Sequence, residues 1–218
     1  MNIDASELSE IEKDALAEIA HMGVSRAAAS LRQMVGEQVL LSVPAVNVVT
    51  RQTASRLAER GQTKLVAVQQ SFEGPFFGRA LLIFPAAQSL ELVRSIVGEG
   101  YSLEDVIDLE QEALAETGNI ILNACLATIA NILHRPMQMS LPSIIRGDGE
   151  TLFDVRSVSS NGNLVLFLYI DFTIKNRDIR GFIALLMDLP SITSLKRIVH
   201  DFIDGIERQP ASNVGRRV

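Results

Sequence analysis

The sequence predicts an α+β fold: a duplicated helix–strand–strand–strand–helix unit forming a pseudo-two-fold, mainly antiparallel sheet with helices packed on it. Three observations carry this. Long segments with apolar residues at helical spacing alternate with short apolar runs joined by turn-prone residues, a pattern of hairpins rather than crossovers. The same order of segments occurs twice in 218 residues. A polar motif also recurs in register. Asp14-x-x-x-Glu18-x-x-His21 with Pro44 is matched by Glu112-x-x-x-Glu116-x-x-Asn119 with Pro142, and the two glutamates and the two prolines are both 98 positions apart.

Taken in order, residues 6–35 read as a helix, with Leu8, Ile11, Leu16, Ile19, Met22, Leu31 and Val35 as its apolar positions, Gly23 as a bend and Gly36 as a stop. Residues 39–49 read as a strand crossed by Pro44, which marks an edge or an irregularity. Residues 52–60 are weakly helical. Two strands, 64–72 and 78–84, flank the turn Glu73-Gly74-Pro75, and a helix over 86–97 is closed by Gly98-Glu99-Gly100.

The second half follows suit. Its reading is a helix over 109–133, a strand over 137–145, a turn over 146–149, strands over 164–174 and 179–187 around residues 175–178, and a helix over 192–206. The phrases beginning at Gly78 and Gly181 (GRALLIFP and GFIALLMDLP) hold corresponding places. No Pro/Ser-rich linker lies near residue 100. The expectation is one domain over 1–206, built of repeats 1–100 and 101–206 on a shared core, with a flexible tail over 207–218.

Hydrophobic residues make up 47% of the chain and charged residues 21%, an ordinary globular balance. The net charge of −6 argues against nucleic acid or an anionic membrane as the main partner. Cys125 is the one cysteine, which excludes an internal disulfide, and its apolar helical setting predicts a buried structural thiol. Apolar stretches broken by Asn123 and Asn131 fall short of the roughly 18 residues that span a bilayer, and no basic segment opens the chain. The expectation is a cytoplasmic protein without a membrane span. His21, His134 and His200 lie far apart and no Cys/His spacing suggests a metal site. No Gly-x-Ser-x-Gly elbow or glycine-rich phosphate loop occurs.

Chemistry is therefore sought in the repeated motif. Residues at i, i+4 and i+7 share a helix face. Asp14, Glu18 and His21 form one row, and Glu112, Glu116, Asn119 and Asn123 form another. A row of carboxylates is most often just the wetted face of a helix. Here, though, acidic pairs at i, i+4 repel by a few tenths of a kcal/mol, mid-helix Asn is unfavourable, and Gly118 costs about 1 kcal/mol relative to Ala. Such conflicts with local rules gather at functional positions.

These residues resemble the CheC/CheX/FliY phosphatases of bacterial and archaeal chemotaxis. That family's motif is an acidic residue or Ser, three residues, Glu, two residues, Asn, twenty-two residues, then Pro. The second copy fits from Glu116 through Gly118 and Asn119 to Pro142, departing at Glu112, where the family prefers Asp or Ser. The first fits at Asp14, Glu18 and Pro44 but has His21 in place of Asn. Two copies in one chain resemble the CheC branch.

The resemblance implies hydrolysis of the aspartyl phosphate on a CheY-type response regulator. It assigns Asn119 to positioning the attacking water and Glu116 to pairing with the regulator's Lys. Glu18 and His21 would form a degenerate second site, and Asp14, Glu112 and Asn123 would meet the partner. No cofactor of the chain's own is implied, because the regulator supplies Mg²⁺. The competing expectation is a non-catalytic adaptor for CheD or a flagellar-switch or receptor partner. The internal repeat favours a monomer.

Overall fold

The computed structural model describes residues 8–43, 45–59, 64–98, 100–155, 164–174 and 177–207. Its elements, in order, are α1 (Glu10–Val35), β1 (Val39–Ser42), β2 (Val46–Thr50), α2 (Arg51–Glu59), β3 (Leu65–Glu73), β4 (Gly78–Pro85), α3 (Ala86–Val97), α4 (Leu103–Ile132), β5 (Gln138–Met139), β6 (Ser143–Gly147), α5 (Gly149–Leu152), β7 (Leu164–Ile174), β8 (Arg177–Met187) and α6 (Leu189–Glu207). Pro44, residues 175–176 of the predicted turn and the tail beyond 207 lie outside the described residues.

Both long helices begin with the same device. Ser9 Oγ accepts from Glu12 N while the Glu12 carboxylate accepts from Ser9 N at 2.8 Å. Ser102 and Asp105 repeat this at the head of α4. Each box satisfies backbone donors that a helix start leaves without partners. The Ser102 box explains why α4 begins six residues before the predicted start at 109. At the other end of α1, Gly36 takes a left-handed φ of 70°, which a residue with a Cβ adopts only under strain.

The eight strands form one antiparallel sheet in the order β1-β7-β8-β4-β3-β5, with β2 beside β7 and β6 beside β3. Central strands β4 and β8 carry the two glycine-led phrases, which run antiparallel past each other around the pair Leu81–Ala184. Two expectations need correction. Each half holds four strands and three helices, because the predicted strands at 39–49 and 137–145 are each broken in two and α5 was not foreseen. The run of hairpins also predicts helices gathered on one face, whereas they occupy both faces of the sheet.

On one face Val66, Val68, Phe72, Leu82, Leu166 and Leu185 pack with Leu16 of α1, Leu92 of α3, Leu114 of α4 and Leu195 of α6. On the other, Leu65, Ala67, Leu81, Phe167 and Ala184 pack with Ala54 and Ala58 of α2 and with Leu152 of α5. A sheet covered on both sides has strands that read as continuous apolar runs, which is how 164–168 and 182–187 read. Within α4, an 18-residue window has a mean hydropathy of 1.3, enough by length and composition to cross a membrane, but half of it is buried inside the fold. Its apolarity answers to the sheet and α1.

Candidate functional site

The break between β5 and β6 creates the site. β6 pairs with β3 from Leu65 to Gln69, and β5 resumes the pairing at Phe72 and Glu73. Between them lie Ser140, Leu141 and Pro142. A proline has no N–H to give to a ladder, so continuous pairing through 142 is not available. At the break the Ser140 side chain joins the ladder as an acceptor: Ser71 N donates to Ser140 Oγ at 2.9 Å, and Ser140 N donates to Ser71 O at 2.9 Å. Leu141 is turned outward and is 88% exposed.

Helix α4 crosses β3 beside this break, and Gly118 sets how closely. A Cβ on Gly118 would stand 2.4 Å from Val68 Cγ1, so only glycine lets the helix lie this near the strand. Thr117, fully buried, donates to Ala113 O at 2.7 Å. The price in helix propensity seen at Gly118 therefore has a packing cause. Two strand positions beyond Val68, on the same face, is Gln70.

Gln70 is 1% exposed. Its Nε2 donates towards Asn119 Oδ1 at 3.2 Å, Asn123 Oδ1 at 3.3 Å and Ser140 O at 3.0 Å. Asn123 Nδ2 donates to Asn119 Oδ1 at 2.7 Å. The carboxamide oxygen of Asn119 thus has two donors, while its Nδ2 has no hydrogen-bond partner among the described residues. Asn119 and Asn123 are half-buried, and Glu112 and Glu116, further back along the same face, are exposed. The row predicted on α4 exists, running from open surface down to the sheet edge. Asn123, expected to meet a partner, is engaged with its helix neighbour and with Gln70.

The row on α1 differs. Asp14, Glu18, His21 and Ser25 are all exposed, and no hydrogen bond joins them to the α4 row among the described residues. Gly23 packs against α4, where a Cβ would meet Cys125 Cα at 2.8 Å. The Cys125 thiol is buried, and burial pushes its pKa up to about 12, which makes it a poor nucleophile. No cluster of three or more His, Cys, Asp or Glu side chains suited to a metal ion occurs among the described residues.

Sequence reasoning missed Gln70. The signal was there: Gln69-Gln70 interrupts the apolar run from Leu65 to Phe72, and a polar residue on the helix-facing side of a buried strand calls for a partner.

No protein-family model matches the chain. Among curated proteins it is 27% identical to CheC1 of Halobacterium salinarum over 141 residues, 62% of this chain and 69% of that one. It is 21% identical to the CheY-P phosphatase CheC of Bacillus subtilis over 140 residues, 63% and 67% of the two chains. It is also 20% identical to the flagellar motor switch phosphatase FliY of that organism, of which the match spans 37%. Among solved structures, Thermotoga maritima FliY superposes with a TM-score of 0.69 at 15% identity, covering 89% of this chain and 98% of that one. FliM from the Helicobacter pylori FliM–SpeE complex gives 0.65 at 12% identity, covering 90% and 98%. At these identities the structural likeness is one of fold.

Proposed function

Because the chain belongs to the CheC/CheX/FliY family, we propose that it is a phosphatase removing the phosphoryl group from the aspartate of a CheY-type response regulator. The fold does not decide this, since FliM shares it. The reading rests on the state of Asn119: half-buried at the foot of an exposed acidic ridge, with its oxygen occupied and its amide hydrogens free among the described residues.

Hydrolysis of an acyl phosphate needs a water oxygen in line with phosphorus and compensation for charge spread over the phosphoryl oxygens. A response regulator brings the Mg²⁺ and a Lys for the charge. What this chain adds is a fixed donor. Asn119 Nδ2–H bonds one lone pair of the water and leaves the other directed at phosphorus. The water oxygen forms the new P–O bond, the bond to the aspartate oxygen breaks, and the aspartate leaves as carboxylate while the water's protons pass to the phosphate. Held by Gln70 and Asn123, the amide needs no reorganisation as the water attacks.

Glu116 lies one turn before Asn119 and has no ion-pair partner among the described residues. Its role in this reading is to pair with the regulator's Lys, a contact that strengthens as docking excludes water. Glu112 extends the acidic edge. On α1, Glu18 offers the same carboxylate, but exposed His21 lacks the neighbours that fix Asn119. The α1 site is therefore weak or silent.

The test is phosphate release from a phosphorylated cognate regulator with the chain at substoichiometric amounts. Multiple turnovers are expected. Loss of phosphate only in proportion to added chain, or none, defeats the reading and favours an adaptor.

A further inference from the structure

We propose that Gln70 is a positioning residue, whose buried carboxamide holds Asn119 so that its amide hydrogens face the docked phosphoryl group. This rests on the phosphatase reading for its consequence, but its geometry stands apart from it.

Three acceptors surround Gln70 Nε2: the side-chain oxygens of Asn119 and Asn123 and the Ser140 carbonyl. Turning the carboxamide over would aim its oxygen at the Ser140 carbonyl, a backbone oxygen that cannot exchange roles, so the nitrogen points this way. Once it does, Asn119 Oδ1 is taken by Gln70 and Asn123, which leaves Nδ2, on the other side of the carboxamide, without a hydrogen-bond partner among the described residues. Gln70 thus acts through Asn119 and touches no substrate itself.

The arrangement is costly. Gln70 Oε1 is buried without a partner among the described residues, and such an atom costs about 1–3 kcal/mol. Methionine or leucine would fit between Val68 and Phe72 without that penalty. A group kept at this cost on a strand face otherwise made of Val66, Val68 and Phe72 answers to something other than stability.

The other half of the sheet supplies an internal comparison. Ile144, two residues after Pro142, faces Val68 across the sheet, and Val46, two residues after Pro44 in sequence, faces Leu168. Two positions further along β3 is Gln70, and two further along β7 is Ile170, also 1% exposed. Isoleucine has no side-chain hydrogen-bond donor. On the helices, Asn119 and Asn123 correspond to His21 and Ser25. The margin of the sheet beside the two asparagines has the glutamine, and the margin beside His21 and Ser25 has none of the three, as expected of side chains that work as a unit.

Gln70→Met keeps length and removes the donor, and Gln70→Leu serves as a second variant should the first not fold. Two readouts are needed: kcat and KM for the phosphorylated regulator, and the side-chain amide ¹H–¹⁵N signals of Asn119. The expected result is a kcat lowered about 10-fold or more, a KM within about twofold of wild type because the exposed docking ridge is untouched, and displaced Asn119 amide signals. A kcat within twofold of wild type overturns the proposal. If the wild-type chain turns over no phosphate, the phosphatase reading fails by itself. The amide signals then decide: unchanged in both variants, they overturn the role of Gln70, and displaced, they uphold its hold on Asn119.

Discussion

Asn123 Nδ2 lies 2.7 Å from Asn119 Oδ1, so the helix braces its own asparagine from one turn further along. Asn123→Leu removes that brace but leaves the Gln70 bond. The expected outcome is a kcat for phosphate release lowered about 3- to 10-fold, less than for loss of Asn119 itself, with KM unchanged. Steady-state kinetics on the purified variant checks this.

The two helical rows make an unequal pair. Asn119→Ala is expected to lower turnover about 100-fold or more, since it removes the group that orients the water. His21→Ala should leave turnover within about twofold. Phosphate release measured side by side decides; near-normal turnover in the first with collapse in the second would transfer the activity to α1.

Gly118 and Val68 fix the approach of α4 to β3. Gly118→Ala puts a Cβ 2.4 Å from Val68 Cγ1, with neighbouring side-chain atoms also within 2.6 Å. The gain in helix propensity, about 1 kcal/mol, is outweighed if overpacking forces the strand and helix apart, which costs roughly 1–3 kcal/mol. A lower Tm is expected, recovered in the double variant with Val68→Ala. Turnover should fall in the single variant too, because displacement of α4 takes Asn119 away from Gln70.

Cys125 gives a pH dependence with a definite sign. Its folded thiol is raised by burial to about 12 from an ordinary 9.0. Below pH 9 both folded and unfolded chains keep the proton. Between pH 9 and about 12 the unfolded chain alone releases it, so this group's contribution to stability is lost as pH rises. Denaturation midpoints at pH 8 and pH 10 should diverge more for the wild type than for Cys125→Ala. A thiol reagent at pH 8 should label the native chain only on unfolding.

Much of this architecture was legible in the residues. Hairpin spacing gave the antiparallel sheet, and the bounds of α3 and β7 follow directly from Gly98 and from the run beginning at Leu164. The strand breaks were half-legible: Pro142 announces an interruption, but which residue repairs the ladder depends on Ser140 meeting Ser71 across 69 positions of sequence. The row from Glu112 to Asn123 could be drawn from helical spacing alone. Its depth could not, because only the tertiary approach of β3 makes Asn119 and Asn123 half-buried while the His21 row stays in solvent. Gly118 is a related case: in the sequence its local cost points to chemistry, whereas its immediate cause is the bulk of Val68.

One consequence of the interrupted outer strands concerns self-association. Each margin of the sheet is made of two short segments, β1 with β2 and β5 with β6, and the second margin is kinked where Pro142 offers no N–H. A long flat margin would invite another chain to add a strand and begin a fibril. The same kink that opens a place for Asn119 denies neighbouring molecules a continuous template.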